Sequence, residues 1–164
     1  MKKTNTFKIA PLLVLIVFIL FGFSTKTETS TYKCMIQMPN YTGEGAYIVV
    51  SLLNPQGEYI ETLRVLGDDD EWYFDIDQWW QFQGKKRANL DAITGATISG
   101  GERAINSIVI PNDKIDAGYK LRFETAVEDQ DYYADDVEFE LTSEALKSKV
   151  EGRGFIRYVR IMPQ

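Results

Sequence analysis

Residues 46–66, AYIVVSLLNPQGEYIETLRVL, predict a β-hairpin at the centre of the fold. The run from Ala46 to Leu53 is apolar on both faces except at Ser51, which is typical of a central strand that is covered on both sides. The next four residues, NPQG, have proline in the second position and glycine in the last, as in a tight turn. Glu58 to Leu66 is then expected to return as the antiparallel partner.

Short apolar and β-branched runs, separated by turn residues, continue on both sides of this hairpin. The clearest is Tyr119 to Val127, in which Leu121 and Phe123 lie on one face and Arg122 and Glu124 on the other. This alternation predicts a half-buried strand. Four other runs are predicted strands, at residues 32–38, 104–110, 137–141 and 155–162. Because no long helical period competes, these runs predict an all-β, antiparallel β-sandwich of about seven strands.

The composition excludes several classes of chemistry. The chain has 164 residues, of which 18 are basic and 24 acidic, with no histidine and one cysteine, Cys34. Without histidine there is no Ser-His-Asp or Cys-His catalytic system and no histidine-ligated zinc. A single cysteine excludes an internal disulfide, and its place in a strand leaves open whether its thiol is buried or exposed. The net charge of −6 argues against nucleic acid as a partner, because such binding requires clustered positive charge.

The first segment of the chain predicts export. Three lysines precede an apolar stretch from Ile9 to Phe23, and polar residues follow it, which is the layout of a signal peptide. The stretch is shorter than the roughly 20 residues of a spanning helix, which favours removal, but the lack of a small-x-small cleavage site leaves an N-terminal anchor open. We therefore predict a signal peptide or anchor at 1–24, a short linker at 25–31 and one domain at 32–164. Removal of residues 1–24 leaves 15 basic and 24 acidic residues, a net charge of −9.

The segment from Asp68 to Phe82 departs from the rhythm of strands and turns. Its acidic start leads into WYF and then into WW, so all three tryptophans lie close together. It predicts a helical turn or an irregular crossing between sheets. The aromatic side chains either cap the core or form a platform for a planar ligand such as an isoalloxazine ring. Calcium binding by the acidic run is disfavoured, because the spaced oxygen ligands and the glycine of an EF-hand loop are absent.

Residues 91–101, DAITGATISGG, follow a basic run and resemble the segment in which a flavin transferase esterifies FMN. That segment has the form Asp-x-x-[Ser/Thr]-Gly-Ala-[Thr/Ser]-x-[Ser/Thr], and its later threonine accepts the phosphate of FMN. The matching residues here are Asp91, Thr94, Gly95, Ala96, Thr97 and Ser99. The resemblance implies covalent FMN, joined by a phosphoester to Thr97.

The residue types in this segment suit such a role for physical reasons. Gly95 and Ala96 provide the small, pliable neighbours that a hydroxyl needs when it must enter the active site of another enzyme. Lys86 and Arg87 are candidates to balance the phosphodiester charge, and Trp72, Trp79 and Trp80 are candidates to pack on the flavin ring. Two alternatives remain: side chains such as Asp91 that only close a turn, and phosphate binding without a covalent bond.

A second resemblance extends from residue 32 to residue 160. Residues 47–50, 54–65, 91–97 and 118–124, together with the tryptophan segment, resemble the family catalogued as domain of unknown function 2271. This resemblance implies exported bacterial proteins with an immunoglobulin-like sandwich of the flagellar hook-capping type. Genes of this family often accompany a flavin transferase and PepSY-type membrane proteins. Many relatives have an arginine soon after the Gly-Ala-Thr triplet, whereas Ile98 and Ser99 follow it here.

We therefore expect a small exported flavin carrier that passes electrons to or from a PepSY-type or other membrane redox protein, after a flavin transferase has attached FMN. The alternative is an immunoglobulin-like binding module of the cell envelope without a cofactor. A carboxylate-pair hydrolase is disfavoured, because Asp135, Asp136 and Glu138 are adequately explained as solvated turn and strand residues.

Overall fold

The computed structural model of the protein describes residues 27–86 and 90–164, apart from the side chains of residues 85 and 86. It confirms the prediction of an all-β sandwich. The strands are β1 Thr29–Gln37, β2 Tyr47–Leu53, β3 Tyr59–Leu66, β4 Thr94–Gly95, β5 Arg103–Pro111, β6 Lys120–Ala126, β7 Tyr132–Glu140, β8 Lys149–Glu151 and β9 Tyr158–Pro163. The short strands β4 and β8 were not expected, because two or three residues leave no periodic pattern in a sequence.

The strands form two sheets that pack face to face. The four-stranded sheet has the order β5-β1-β9-β8, and the five-stranded sheet has the order β4-β3-β2-β6-β7. Neighbouring strands are antiparallel except β3 and β4, which are parallel. The predicted hairpin is present as β2 and β3, and β2 also pairs with β6. Because β1 begins at Thr29, the last residues of the predicted linker at 25–31 belong to the domain, whereas the predicted signal segment at 1–24 lies outside the described residues.

The main core fills the space between the two sheets. It contains apolar side chains from the inner faces of both, among them Ile36, Ile48, Phe123 and Val159. Cys34 is buried in this core on the inner face of β1. Burial raises the pKa of its thiol to about 12, so this cysteine is a packing residue and not a reactive thiolate.

A second, smaller core lies outside the five-stranded sheet. The tryptophan segment forms a 3₁₀ turn at Asp70–Asp75 and then the helix α1 at Asp77–Lys86. The side chain of Asp69 caps the turn by accepting a hydrogen bond from the backbone N–H of Glu71 at 3.1 Å. Tyr73, Ile76 and Trp79 pack against Val49, Val65 and Ala126 of the sheet. The segment is therefore a helical cover for one sheet face, and among the described residues no helix is long and apolar enough to cross a bilayer.

The structure overturns two sequence predictions about solvated residues, one because of the helical cover and one because of a neighbouring loop. Strand β6 was expected to be half-buried, but Glu124 on its outer face is 0% exposed because α1 lies over it. Asp136 was expected to be solvated, but it is only 1% exposed. Its carboxylate accepts hydrogen bonds from Oγ1 of Thr125 at 2.6 Å and from the backbone N–H of Ile156 at 2.9 Å. Backbone donors thus replace water, which alternation in a sequence does not reveal.

Candidate functional site

The FMN-acceptor-like segment begins as an added edge of the five-stranded sheet. Asp91–Ile93 forms a 3₁₀ turn, and β4 then pairs with the end of β3. The hydroxyl of Thr94 donates to the carbonyl of Leu90 at 2.8 Å, which is the kind of turn contact that the purely structural interpretation predicts. The backbone N–H of Gly67 donates to the carbonyl of Gly95 at 2.6 Å. The first half of the segment is therefore fixed to the sheet.

The second half of the segment is fixed to the entrance of β2. Ile98 and Ala46 exchange two backbone hydrogen bonds, of 2.8 and 3.2 Å. The hydroxyl of Tyr41 also donates to the carbonyl of Ile98 at 2.7 Å, and the backbone N–H of Ser99 donates to Glu102 at 3.1 Å. The chain is thus held on both sides of Thr97, which is half-buried.

Thr97 lies in the wall of a cavity of about 210 Å³. Two aromatic side chains, Tyr47 from β2 and Trp72 from the 3₁₀ turn, line the same cavity. Its remaining side chains include three carboxylates, those of Glu44, Asp75 and Glu128. A threonine, two aromatic side chains and three carboxylates therefore line one cavity. Aromatic walls suit a planar ligand, whereas the carboxylates repel an anionic group.

Gly45 makes the position of the Thr97 hydroxyl possible. A Cβ atom at position 45 would lie 2.3 Å from Oγ1 of Thr97 and 2.7 Å from its Cβ. Only a residue without a side chain admits this approach, so Gly45 is a site residue that the sequence analysis missed. The Gly-Glu-Gly turn before β2 was its only signal, and the contact partner lies far away in the sequence.

The expected cations are not the ones that the structure brings to the segment. Arg87 lies outside the described residues, and Lys86 ends α1 without a described side chain. Arg64 of β3 contacts the segment instead. Its Nη2 is 3.5 Å from the carbonyl oxygen of Thr94, and a Cβ atom at Gly95 would lie 2.8 Å from it. Arg64 was not predicted, because nothing local to β3 indicates that β4 pairs beside it.

The tryptophans have different environments. Trp79 is fully buried, and its Nε1 donates to the hydroxyl of Thr62 at 2.8 Å. The prediction that Trp79 packs on a flavin ring is therefore wrong, because no surface of its ring is open to a ligand. Trp80 is 37% exposed and lies beside Trp79, with ring centroids 6.0 Å apart. Trp72 is the tryptophan that lines the cavity with Thr97.

A buried polar network lies beneath α1. Glu124 accepts hydrogen bonds from the hydroxyls of Tyr59 at 2.7 Å and Tyr132 at 2.5 Å, and from the backbone N–H of Trp79 at 3.3 Å. Burial raises the pKa of Glu124, although these hydrogen bonds favour its charged form. Arg122 beside it forms an ion pair with Glu138 at 2.6 Å. The network anchors the helix to the sheet, because α1 lies over it and leaves Glu124 inaccessible to a substrate.

Among residues 27–86 and 90–164, no group of three or more acidic or cysteine side chains is arranged to hold a metal ion. The fold and the cavity define a small β-sandwich with a helical cover and a half-buried threonine at an aromatic, acid-rimmed cavity. Residues 29–158 match the family DUF2271, described as predicted periplasmic protein, and the chain belongs to this family. The match confirms both the family resemblance and the exported, periplasmic localisation. No curated protein and no solved structure matches the chain.

Proposed function

We propose that this periplasmic protein carries FMN through a phosphoester on Thr97 and takes part in electron transfer with a membrane partner. The observation that carries the proposal is the position of the Thr97 hydroxyl. It lies in the wall of a cavity with Tyr47 and Trp72, within a segment that is held on both sides. A half-buried threonine in the same cavity wall as two aromatic side chains meets two needs of a covalent flavin site, which are a hydroxyl for attachment and a place for the ring.

The residues present fit the cofactor in their chemistry. The rings of Tyr47 and Trp72 offer apolar surface to a planar isoalloxazine. Three carboxylates of the lining oppose a negatively charged phosphodiester. Glu44 and Glu128 are exposed, so water and salt screen their repulsion, whereas Asp75 is half-buried and favours a phosphate placed away from it. Of the three tryptophans, Trp72 is the one expected to contact the ring, and Trp80 lies one ring further away through its contact with Tyr73.

Attachment requires an activated flavin and an enzyme that is not part of this chain. In the transfer, Oγ1 of Thr97 forms a bond to the phosphorus of the FMN portion of a flavin dinucleotide, and the pyrophosphate bond breaks. A nucleoside monophosphate leaves, and the hydroxyl proton passes to a base of the flavin transferase. Once bound, FMN exchanges one or two electrons with a redox partner. The protein's own residues hold the ring and keep it in the periplasm.

The test is co-expression of the full-length protein with an exported flavin transferase. We expect in-gel flavin fluorescence and a gain in intact mass of one FMN residue. Thr97→Ala should abolish both signals and Thr97→Ser should retain them, because serine keeps the hydroxyl. Ser107→Ala is the control, since it removes an exposed hydroxyl outside the segment and should leave both signals unchanged.

Two results would overturn the proposal. One is an adduct that persists in Thr97→Ala, which would place attachment elsewhere. The other is the absence of any adduct when the same transferase labels a known acceptor in the same cells. That second result would leave the segment as a structural connection and favour the cofactor-free binding module.

A further inference from the structure

The outer face of the four-stranded sheet has no covering layer among the described residues. Alternate residues of β1, β5 and β9 point outward from the core, as the pairing of Met35 with Ile105 and with Arg160 shows. On this face Ile105 is 59% exposed and Val109 is 48% exposed. Exposed apolar side chains on a regular, flat surface mark an interaction site more often than scattered ones do.

The same face is basic, although the protein is acidic. It carries four cations, Lys33, Arg103, Lys149 and Arg160, and one carboxylate, Glu151, which gives it a net charge of +3. Glu151 is paired with Lys149 at 3.0 Å. Within the described part of the chain, the other three cations have no ion-pair partner. The whole chain has a net charge of −6, so this face has the opposite sign to the chain as a whole.

The sequence places this face next to the exported end of the N-terminal segment. The apolar stretch ends at Phe23, and β1, in the interior of the four-stranded sheet, begins at Thr29. A fully extended chain spans at most about 3.6 Å per residue, so residues 24–28 keep the start of β1 within about 20 Å of the stretch. Wherever that stretch is retained as an anchor, the basic face is held close to a bilayer.

We propose that this outer face lies against the surface of an anionic lipid bilayer. Lys33, Arg103 and Arg160 face the lipid phosphates, and Ile105 and Val109 enter the interfacial layer. Each basic residue near such a surface strengthens binding about fivefold. The inference does not depend on the flavin. The cavity of Thr97 is lined from the five-stranded sheet and the helical cover, so docking by the opposite sheet leaves it open to a redox partner.

A fluorescent label on the proposed face provides the test. The full-length exported protein is prepared with Ser107→Cys, an exposed position on the outer face of β5, and is labelled with an environment-sensitive dye. Native Cys34 is buried and has a raised pKa, so it does not compete for the label. A label at Gln56→Cys reports on the turn between β2 and β3, which belongs to the other sheet. Each protein is mixed with vesicles of phosphatidylcholine and phosphatidylglycerol, or of phosphatidylcholine alone.

We expect a blue shift at position 107 with the anionic vesicles only, no shift at position 56, and loss of the shift in high salt. The double variant Lys33→Glu with Arg160→Glu should weaken the response by about 25-fold or more, because the fivefold losses of two cations multiply. The double variant Lys114→Glu with Arg153→Glu makes the same change in net charge away from the face and should leave the response unchanged. Circular dichroism checks that both variants are folded.

Three results would overturn the inference. Equal responses at positions 107 and 56 would show that the face has no special orientation toward lipid. A response that is insensitive to the Lys33 and Arg160 reversals would remove the electrostatic basis. No response at position 107 with either kind of vesicle would exclude lipid as the occupant and favour a protein partner for the face.

Discussion

The outer face of the five-stranded sheet is covered by the helical segment, whereas the outer face of the four-stranded sheet is exposed among the described residues. On the five-stranded sheet, Val49 and Val65 are fully buried beneath α1 and the 3₁₀ turn. On the four-stranded sheet, Ile105 and Val109 occupy equivalent outward positions and remain exposed. All are β-branched residues in regular strands. The apolar run of β2 indicated burial on both faces, but the layer that covers Val49 and Val65 comes from elsewhere in the chain, and the outer face of β5 receives no such layer among the described residues.

Charged side chains also have different environments on the covered and the uncovered face. Glu124 lies under the helix, where two tyrosine hydroxyls and one backbone N–H satisfy its carboxylate. Lys33 and Arg160 are exposed on the other face, and neither forms an ion pair with any residue of 27–86 or 90–164. A buried charge has to be fully hydrogen-bonded, whereas an exposed one is free to meet an external partner. The two faces are therefore suited to stability and to recognition, respectively.

The variant with the largest expected effect on stability removes Trp79, the residue that joins the helical cover to the five-stranded sheet. Trp79→Ala should lower the free energy of unfolding by about 3–5 kcal/mol, because it removes a buried ring and leaves a cavity. Urea unfolding followed by circular dichroism measures the loss. Trp80→Ala is the control in the same helix and should cost less than about 1 kcal/mol, since Trp80 is partly exposed. Equal losses would mean that the helix is not anchored through Trp79.

The next test concerns the charge buried under the cover. Burial raises the pKa of Glu124 in the folded state, so the folded protein binds this proton more tightly than the unfolded chain does. The resulting stabilisation is complete below the ordinary carboxyl pKa and is lost as the pH rises through the raised value. Glu124→Gln does not titrate. Its free energy of unfolding relative to the unmodified protein should therefore increase as the pH rises above about 4.5.

Urea unfolding of both proteins from about pH 4 to about pH 8 measures this difference and cancels the contributions of other carboxylates. Glu138→Gln is a control for which the difference in the free energy of unfolding should change with pH in the opposite direction. Although burial opposes it, hydrogen bonds from Lys120 and Arg122 lower the pKa of Glu138. A difference that decreased with rising pH for Glu124→Gln would show that the hydrogen bonds to Glu124 outweigh its desolvation.

The smallest effects come from one substitution made on both faces. Val49→Thr should cost about 1–3 kcal/mol, because it buries a hydroxyl under the helical cover. Val109→Thr, the same change on the uncovered face, should stay within about 0.5 kcal/mol. Thermal unfolding of the two variants compares them directly. Similar costs at both positions would indicate that a further part of the chain covers the four-stranded sheet.

Local patterns predicted most of the strands, because each depends on nearby residues. The apolar run of β2 correctly indicated a strand buried on both faces, and the NPQG turn fixed its partner β3. The same logic failed for Glu124 in β6, since alternation predicts which face a residue is on and not what covers that face. It also failed for Asp136, whose donors include Thr125 of a neighbouring strand and the backbone near Ile156.

The candidate site was predicted in part. The segment from Asp91 to Ser99 was identified from its residue types, and attachment at Thr97 stays a prediction. The sequence indicated neither Gly45, which admits the threonine hydroxyl, nor Arg64, which contacts the start of the segment. Both contacts join positions that are far apart in the chain, and long-range pairing leaves no local pattern.

The sequence by itself determined the acidic balance and the strand-rich domain, and it predicts an export signal and an acceptor-like segment, because charge, hydrophobic period and turn chemistry are local properties. Only the tertiary structure decided that the tryptophan segment covers one sheet, that Trp72 and not Trp79 meets the cavity, and that the cations of three strands share one open face. Those outcomes depend on which surfaces pack together, and packing is chosen by the whole chain at once.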